Sequence, residues 1–165
     1  MPQWTLFEQD FRSIDDVLAE LLERTNALSA HLIDRSGQLI NSAGRTDDFD
    51  ITSFASLVAA DFTANAELAQ LMGDSAISAV VSEGVTRSLH SCLLADRVIL
   101  CTVFDKRSSL GLVRFRARRA SVTLDALFRG LFEKAGVVEP QPQSFVESPE
   151  FAAAAASEVD ALFGE

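Results

Sequence analysis

Hydrophobic residues recur at every third or fourth position in four stretches of the chain, a spacing that is typical of amphipathic helices. The stretches predict helices at about 6–24, 52–72, 108–135 and 150–163. The third stretch opens with apolar residues that alternate with arginines, as they would in a strand. Its helical spacing continues to the end of the stretch, however, and favours a helix.

Five shorter stretches with alternating or continuous apolar residues predict strands. They lie at 27–34, 38–43, 77–82, 86–94 and 98–105. Arg35-Ser36-Gly37 predicts the turn between the first two strands, since glycine accepts a positive φ at little cost. The last two strands are apolar on both sides, so we expect helices to cover both faces of the sheet.

The cysteines and histidines are interpreted as structural residues. Asp96-Arg97 predicts a two-residue turn, which would set Cys92 directly opposite Cys101. Thiols in the middle of a strand are usually buried and unreactive, so a nucleophile or a redox switch is the less favoured interpretation. His31 and His90 lie in apolar runs and are interpreted as hydrogen-bonded strand residues rather than ligands or bases.

The second helix is predicted to have two unlike faces. Thr52 or Ser53 could cap its start, and Gly73 could end it. A face of small and polar residues lies on one side, where it either permits close approach of another backbone or is simply solvated. The predicted apolar stripe on the other side comprises Phe54, Leu57, Val58, Leu68, Leu71 and Met72.

Composition and motifs exclude several classes of function. The chain is 48% hydrophobic and 23% charged, which is typical of a globular protein. No apolar run reaches the ~18 residues of a membrane helix, and no signal peptide is visible, so we expect a cytoplasmic protein without membrane insertion. Because the sequence contains no catalytic, cofactor or metal-site motif, we expect neither an enzyme nor a bound cofactor.

Charge is distributed unevenly along the chain. The formal net charge of −10 argues against a nucleic-acid partner, because phosphate binding needs clustered cations. Residues 106–119 hold a basic cluster, interpreted as a solvated helix face or as a surface for an acidic partner. Residues 139–165 carry six acids and no Lys or Arg.

Three units follow from these patterns. Residues 1–135 are predicted to form one domain, 136–149 a flexible linker with three prolines, and 150–165 an acidic helical tail. A helix as short as the tail is marginal alone in water and must dock on something. Its predicted apolar anchors are Phe151, Val159, Leu162 and Phe163.

Three local sequences carry a family resemblance: LIDRSGQLI at 32–40, SFASLVAA at 53–60 and FDKRSSLGLVR at 104–114. Together, and in this order, they resemble the MglB-like branch of the bacterial Roadblock/LC7 family over about residues 6–135. The resemblance implies an α/β (α+β) fold with the element order α-β-β-α-β-β-β-α. It also implies a five-stranded antiparallel sheet of strand order 2-1-5-4-3 with helices on both faces.

The resemblance also implies a function. Members of this branch are homodimers that bind a small Ras-like GTPase of the MglA type and activate its GTP hydrolysis, in bacterial cell polarity and motility. They insert no arginine finger, so Arg45, Arg87 and Arg97 are a less favoured alternative. The C-terminal helix of these proteins is linked to GTPase affinity or nucleotide exchange. The resemblance also implies that the protein is concentrated at a cell pole. The implied GTPase-binding surface lies on the second helix, around Ala59, Ala60, Thr63, Ala64 and Glu67.

In the implied strand order, the segment 77–82 is an unprotected sheet edge. Two copies are predicted to pair there in antiparallel fashion, with the second helices packing across the two-fold axis. Asp61 and Glu67 make the second helix more acidic than is usual in the branch, which leaves open a scaffold that tethers other partners without stimulating hydrolysis. The apolar residues of the edge are Ile77, Ala79, Val80 and Val81.

Overall fold

The computed structural model describes residues 8–136. Its elements are α1 (Glu8–Thr25), β1 (Ser29–Asp34), β2 (Leu39–Gly44), α2 (Ile51–Leu71), β3 (Val80–Glu83), β4 (Arg87–Leu94), β5 (Val98–Asp105) and α3 (Leu110–Lys134). The strands form one antiparallel sheet in the order β2-β1-β5-β4-β3. The predicted fold class, element order and strand order are confirmed. The tail and all of the linker beyond Gly136 lie outside the described residues.

Two apolar layers lie on opposite faces of the sheet. On one face, α1 and α3 enclose a cluster that includes Leu18, Leu100 and Phe128. On the other face, α2 packs Phe62 against Ile99 and its neighbours. The central strand β5 is buried from Val98 to Phe104, as expected for a strand covered on both sides. No helix within the described residues is both long and apolar enough to cross a membrane.

The cap of α2 lies upstream of the predicted position. The Asp50 carboxylate accepts hydrogen bonds from the Thr52 backbone N–H at 3.1 Å and from the Ser53 hydroxyl at 2.6 Å. These bonds lower the pKa of Asp50, the Ser53 bond most strongly. The N-cap is therefore Asp50, and the predicted caps Thr52 and Ser53 are the groups that donate hydrogen bonds to it. Asp is at least as favourable as Ser or Thr at an N-cap.

The turn between β4 and β5 is longer than predicted. Leu94 pairs with Val98, so three residues lie between the paired positions. Ala95 and Asp96 adopt left-handed φ values of 48° and 58°. The Ala95 N–H donates to the Asp125 carboxylate of α3 at 2.6 Å, and Arg129 pairs with Asp96 at 3.1 Å. These bonds to α3 hold a backbone conformation that neither residue favours strongly.

The longer turn shifts the register and separates the cysteines. Cys92 pairs with Leu100, and Cys101 pairs with Ser91, so the predicted Cys92–Cys101 pair is wrong. Because a slip of one residue moves a side chain to the other face of a sheet, the two thiols lie in different layers. Cys92 packs in the α1–α3 layer, and Cys101 in the α2 layer.

The predicted apolar stripe of α2 is largely wrong. Of its six members only Phe54 and Val58 pack toward the sheet. The sheet is instead contacted by Ala55, Ala59 and Phe62, because small residues let the helix lie close to the strands. The remaining four are exposed to between 54% and 85% of their surface: Leu57, Leu68, Leu71 and Met72.

Candidate functional site

An open groove of about 480 Å³ lies between α2 and the β1–β2 turn. All five residues predicted for the outer surface of the second helix line it, so the structure brings them together. Its further lining residues, Arg35, Ser36 and Ser56, were not predicted as part of the site. The α2 residues in the lining are Ser56, Ala59, Ala60, Thr63, Ala64 and Glu67.

The wall opposite α2 is a rigid turn. The Asp34 carboxylate accepts from the Ser36 hydroxyl and from the Ser36 backbone N–H, the latter at 3.2 Å. Gly37 has a φ of 91°, and its N–H donates to the Asp34 carbonyl oxygen at 2.8 Å. A Cβ at Gly37 would lie 3.2 Å from Ser56 Cα. The turn therefore approaches the α2 backbone closely, and this approach closes one side of the groove.

A second set of contacts ties this turn to the rest of the fold. Arg97 donates to the Asp34 carboxylate at 3.2 Å, and its guanidinium also lies 5.6 Å from the ring centre of Phe132 on α3. The Arg35 backbone N–H donates to the Arg97 carbonyl oxygen at 3.0 Å. The groove wall is thus connected through the β4–β5 turn to the helix on the opposite face of the sheet.

The α2 side of the groove combines a buried floor with an exposed rim. Ala59 is only 4% exposed and forms part of the packing against the sheet. The rim is exposed and consists of three residues with short side chains, Ala60, Thr63 and Ala64, and one with a long side chain, Glu67. An approaching backbone would therefore meet little steric hindrance along the rim.

The charges at the groove are few and opposite in sign. Arg35 is its only lining cation and Glu67 its only lining anion among the described residues, so no strong field of one sign is present. Asp61 does not line the groove; its carboxylate accepts a hydrogen bond from the Asn65 side chain at 2.9 Å. Of the two acids that made α2 look unusual, only Glu67 would therefore face a ligand in the groove.

The three arginines considered as fingers do not line the groove. Arg87 pairs with Asp48 at 3.0 Å, and Arg97 is held by Asp34. Arg45 follows β2, and its backbone N–H donates to the Leu28 carbonyl oxygen. Arg35 is the arginine at the groove, and only the tertiary approach of its turn to α2 brings it there.

A second exposed surface lies beside the groove. Four exposed residues of α2 and its C-cap, here called the outer row, border the groove at Ala64, because residues four or seven positions apart lie on the same side of a helix. They are Leu57, Leu68, Leu71 and Met72. The nearby β3 has β4 as its only partner in the described sheet. Of the predicted edge residues, Val80 and Val81 lie in β3, but Ile77 and Ala79 precede it, because the strand begins later than predicted.

Burial shifts the pKa of two side chains in the α2 layer, His31 and Cys101. His31 is fully buried, its Nε2 lies 2.9 Å from the Ser29 hydroxyl, and burial lowers its pKa to about 4. Burial raises the pKa of Cys101 to about 12. Both histidines are buried in strands, as predicted, but only His31 has a side-chain hydrogen bond in the described part of the chain. The Nδ1 of each lacks a partner there. Among residues 8–136, no His, Cys, Asp and Glu side chains cluster closely enough to hold a metal ion.

The chain is similar to solved structures of bacterial proteins. Myxococcus xanthus MglB is 41% identical, with a TM-score of 0.70, over 73% of this chain and 98% of that one. The gliding protein MglB from Thermus thermophilus is 28% identical, with a TM-score of 0.72, over 79% and 98%. A Roadblock/LC7 domain from Streptomyces avermitilis shares the fold at 15% identity and a TM-score of 0.64, over 70% and 97%. Neither a protein-family model nor a curated protein matches the sequence.

Proposed function

Because the chain belongs to the MglB-like Roadblock/LC7 family, we propose that it is a homodimeric activator of a small Ras-like GTPase of the MglA type. The protein would act in bacterial motility and cell polarity; the Thermus relative is named a gliding protein. The groove would contact the GTPase, and the GTPase would supply the catalytic side chains itself.

The observation that carries the proposal is an open, weakly charged groove between α2 and the β1–β2 turn, with short side chains along its rim. GTP hydrolysis needs an oriented water and stabilisation of charge on the transferred phosphoryl group. A protein can supply both indirectly when it binds only the competent state of the switch loops, because such binding shifts the loops to that state. A groove with small residues on its rim suits a mobile backbone segment better than it suits a small molecule.

Arg35 tests whether the activator acts without an arginine finger. A true finger contributes about 10³- to 10⁵-fold to the rate of hydrolysis. We expect Arg35→Ala to reduce stimulation by less than about tenfold, since the proposed role of Arg35 is to contact the partner surface. A loss of about a thousandfold would establish Arg35 as a finger and overturn this part of the mechanism.

The proposed dimer forms through β3 and the outer row. Pairing of two β3 edges in antiparallel fashion would join the sheets of two chains, and the two α2 helices would then meet across the two-fold axis. The apolar outer row, which the sheet does not cover, would be buried in this contact. Thr63 lies roughly a third of a turn around α2 from the outer row, so dimerisation would leave that side of each groove accessible, whereas Ala64 lies in line with the row and would be at the dimer contact.

A GTP-hydrolysis assay with the MglA-type GTPase from the same organism tests the activating surface. Ala60→Arg and, separately, Thr63→Arg place a long cation on the rim and should abolish both binding and stimulation while the dimer persists. Ala19→Arg is the matched control, since Ala19 is exposed on α1 at the opposite face of the sheet. Full stimulation by both rim variants would refute the proposed surface. Binding by the native protein without stimulation would instead identify a tethering scaffold.

The domain division and the tail role are part of the same proposal. Removing residues 139–165 should leave the dimer and the groove intact but change GTPase affinity or nucleotide exchange. The predicted anchors Phe151, Val159, Leu162 and Phe163 would make the contact, and the linker would raise their effective concentration to roughly the millimolar range. Identical binding and exchange with and without the tail would exclude this role.

A further inference from the structure

A second cavity, of about 450 Å³, lies on the face of the sheet opposite the groove, between the β3 edge and α3. It is lined by Ser78, Ala79, Val81, His90, Cys92, Leu93, Arg114, Arg118 and Ser121. Two arginines one turn apart on α3 therefore lie beside a histidine from β4. One wall of the cavity, at Ala79 and Val81, lies at the proposed dimer edge, but neither the proposed GTPase contact nor the proposed dimer contact gives a role to Arg114, Arg118 or His90.

The cavity presents cationic and donor groups that nothing described satisfies. Neither Arg114 nor Arg118 forms an ion pair within residues 8–136, although six other arginines among those residues do. His90 is 2% exposed, and its Nδ1 has no hydrogen-bond partner in the same part of the chain. Burial first, and then the charges of Arg114 and Arg118, lower the pKa of His90.

The remaining groups around His90 do not neutralise the arginines. The Cys92 thiol lies 3.4 Å from the Ser121 hydroxyl, and that hydroxyl donates to the Ala117 carbonyl oxygen. Glu83 projects from the same side of β3 as Val81 by strand alternation, but it does not line the cavity. Paired guanidinium groups beside a neutral imidazole are suited to a carboxylate, which arginine binds through two parallel hydrogen bonds.

We propose that the acidic segment 139–165 of this same chain is the ligand of the cavity, and that it places a carboxylate between Arg114, Arg118 and His90. Charge complementarity supports this occupant, since the segment carries six acids without a Lys or Arg. The cavity is separate from the proposed activating groove, because the two lie on opposite faces of the sheet.

The length of the chain determines which acids can reach the cavity. Arg118 lies 18 residues before Gly136, or about 27 Å along α3 at about 1.5 Å per residue. Glu139 can extend only about 10 Å from Gly136, whereas Glu147 can extend about 36 Å. Glu147 and the acids after it can therefore bind in the cavity, and Glu139 cannot.

The two histidines permit a direct test by NMR on the full chain, with no GTPase present. Only His31 and His90 occur in the sequence, and His31 lies in the α2 layer away from the cavity. Neutralising the acids within reach should lower the titration midpoint of His90 and leave His31 unchanged. The substitutions are Glu147→Gln, Glu150→Gln, Glu158→Gln, Asp160→Asn and Glu165→Gln, with Glu139→Gln as the matched control.

A second measurement follows the segment itself. Chymotrypsin should cleave the full chain at Phe151 roughly fivefold faster in an Arg114→Gln/Arg118→Gln variant, as expected for the loss of two partly exposed ion pairs. Arg116→Gln/Arg119→Gln is the control, because these arginines face the cleft between α1 and α3. Unchanged His90 titration together with unchanged cleavage would overturn the proposal. A His90 titration midpoint that is unchanged by the tail substitutions but depends on protein concentration would identify a second copy as the occupant. That result would also overturn the proposal.

Discussion

Replacing Leu57 and Leu68 by serine should convert the proposed dimer into a monomer. In the single chain Leu57 is 69% exposed and Leu68 is 54% exposed, and they lie about three turns apart on the outer row. Full burial of a leucine side chain contributes about 2 kcal/mol, so covering the exposed parts of both contributes roughly 2.5 kcal/mol per chain. A symmetric contact doubles this contribution to about 5 kcal/mol, and its loss raises the dimer Kd by roughly three to four orders of magnitude.

Sedimentation velocity over several decades of protein concentration measures this Kd. Val122→Ser is the control, because Val122 is 75% exposed on α3, at the other face of the sheet, and should leave the Kd unchanged. Both variants should keep the free energy of unfolding of the monomer, since neither replaces a buried side chain. A Leu57→Ser/Leu68→Ser protein with the native Kd would refute the assignment of the outer row to the dimer contact.

Three further predictions concern the fold itself. Because burial lowers the pKa of His31 from 6.5 to about 4, its contribution to stability is complete above about pH 6.5 and is lost as the pH falls toward 4. In urea titrations, the unfolding free energy of the native protein should fall between about pH 7 and pH 5 by about 2 kcal/mol more than that of the His31→Gln variant. Equal losses in the two proteins would contradict this. Burial raises the pKa of Cys92 and Cys101, so an aromatic disulfide reagent should modify neither thiol before unfolding; modification of the folded chain at the unfolded rate would contradict their burial. Gly130→Ala should raise the unfolding free energy by about 0.5–1 kcal/mol, since its Cβ meets nothing within 4 Å. Gly44→Ala should lower the unfolding free energy, because φ is 87° and the added Cβ would clash with the Leu28 carbonyl oxygen. Thermal melts in which the two substitutions shift the unfolding temperature in the same direction would contradict this pair.

The elements with the clearest hydrophobic pattern were predictable from the sequence. Strand β5 extends from Val98 to Asp105, as predicted to the residue, because continuous burial leaves a continuous apolar run. Helix α3 was predictable despite its strand-like start, since Val113, Ala117, Leu124 and Phe128 keep helical spacing and are all buried. In both cases burial in the fold follows directly from the local pattern.

Tertiary packing decided the features that the sequence left ambiguous. Helix α2 carries apolar residues on every side, so its periodicity does not select the face that packs against the sheet. Phe62 and two alanines occupy that face, where they pack against Ile33 and Ile99, and these partners are far from α2 in the sequence. Likewise, the left-handed Ala95 is stabilised by Asp125, a residue 30 positions away, which no local turn rule includes.

The candidate site was predictable only along α2. The family resemblance indicated five residues of the helix, and the structure places all five in one groove. Arg35 and Ser36 were missed because the hairpin turn reaches the groove through its approach to Ser56. The cavity lined by His90, Arg114 and Arg118 was also missed, because only tertiary packing brings β4 and α3 together there.

The open edge of β3 would make gene dosage matter for the proposed dimer. If only a second copy completes the edge, the amount of dimer varies with the square of the chain concentration whenever that concentration is below the Kd. Halving synthesis would then reduce the active species about fourfold, whereas a monomeric activator would lose only half. Expression level alone could therefore set a threshold for activation in the cell, without any modification of the chain.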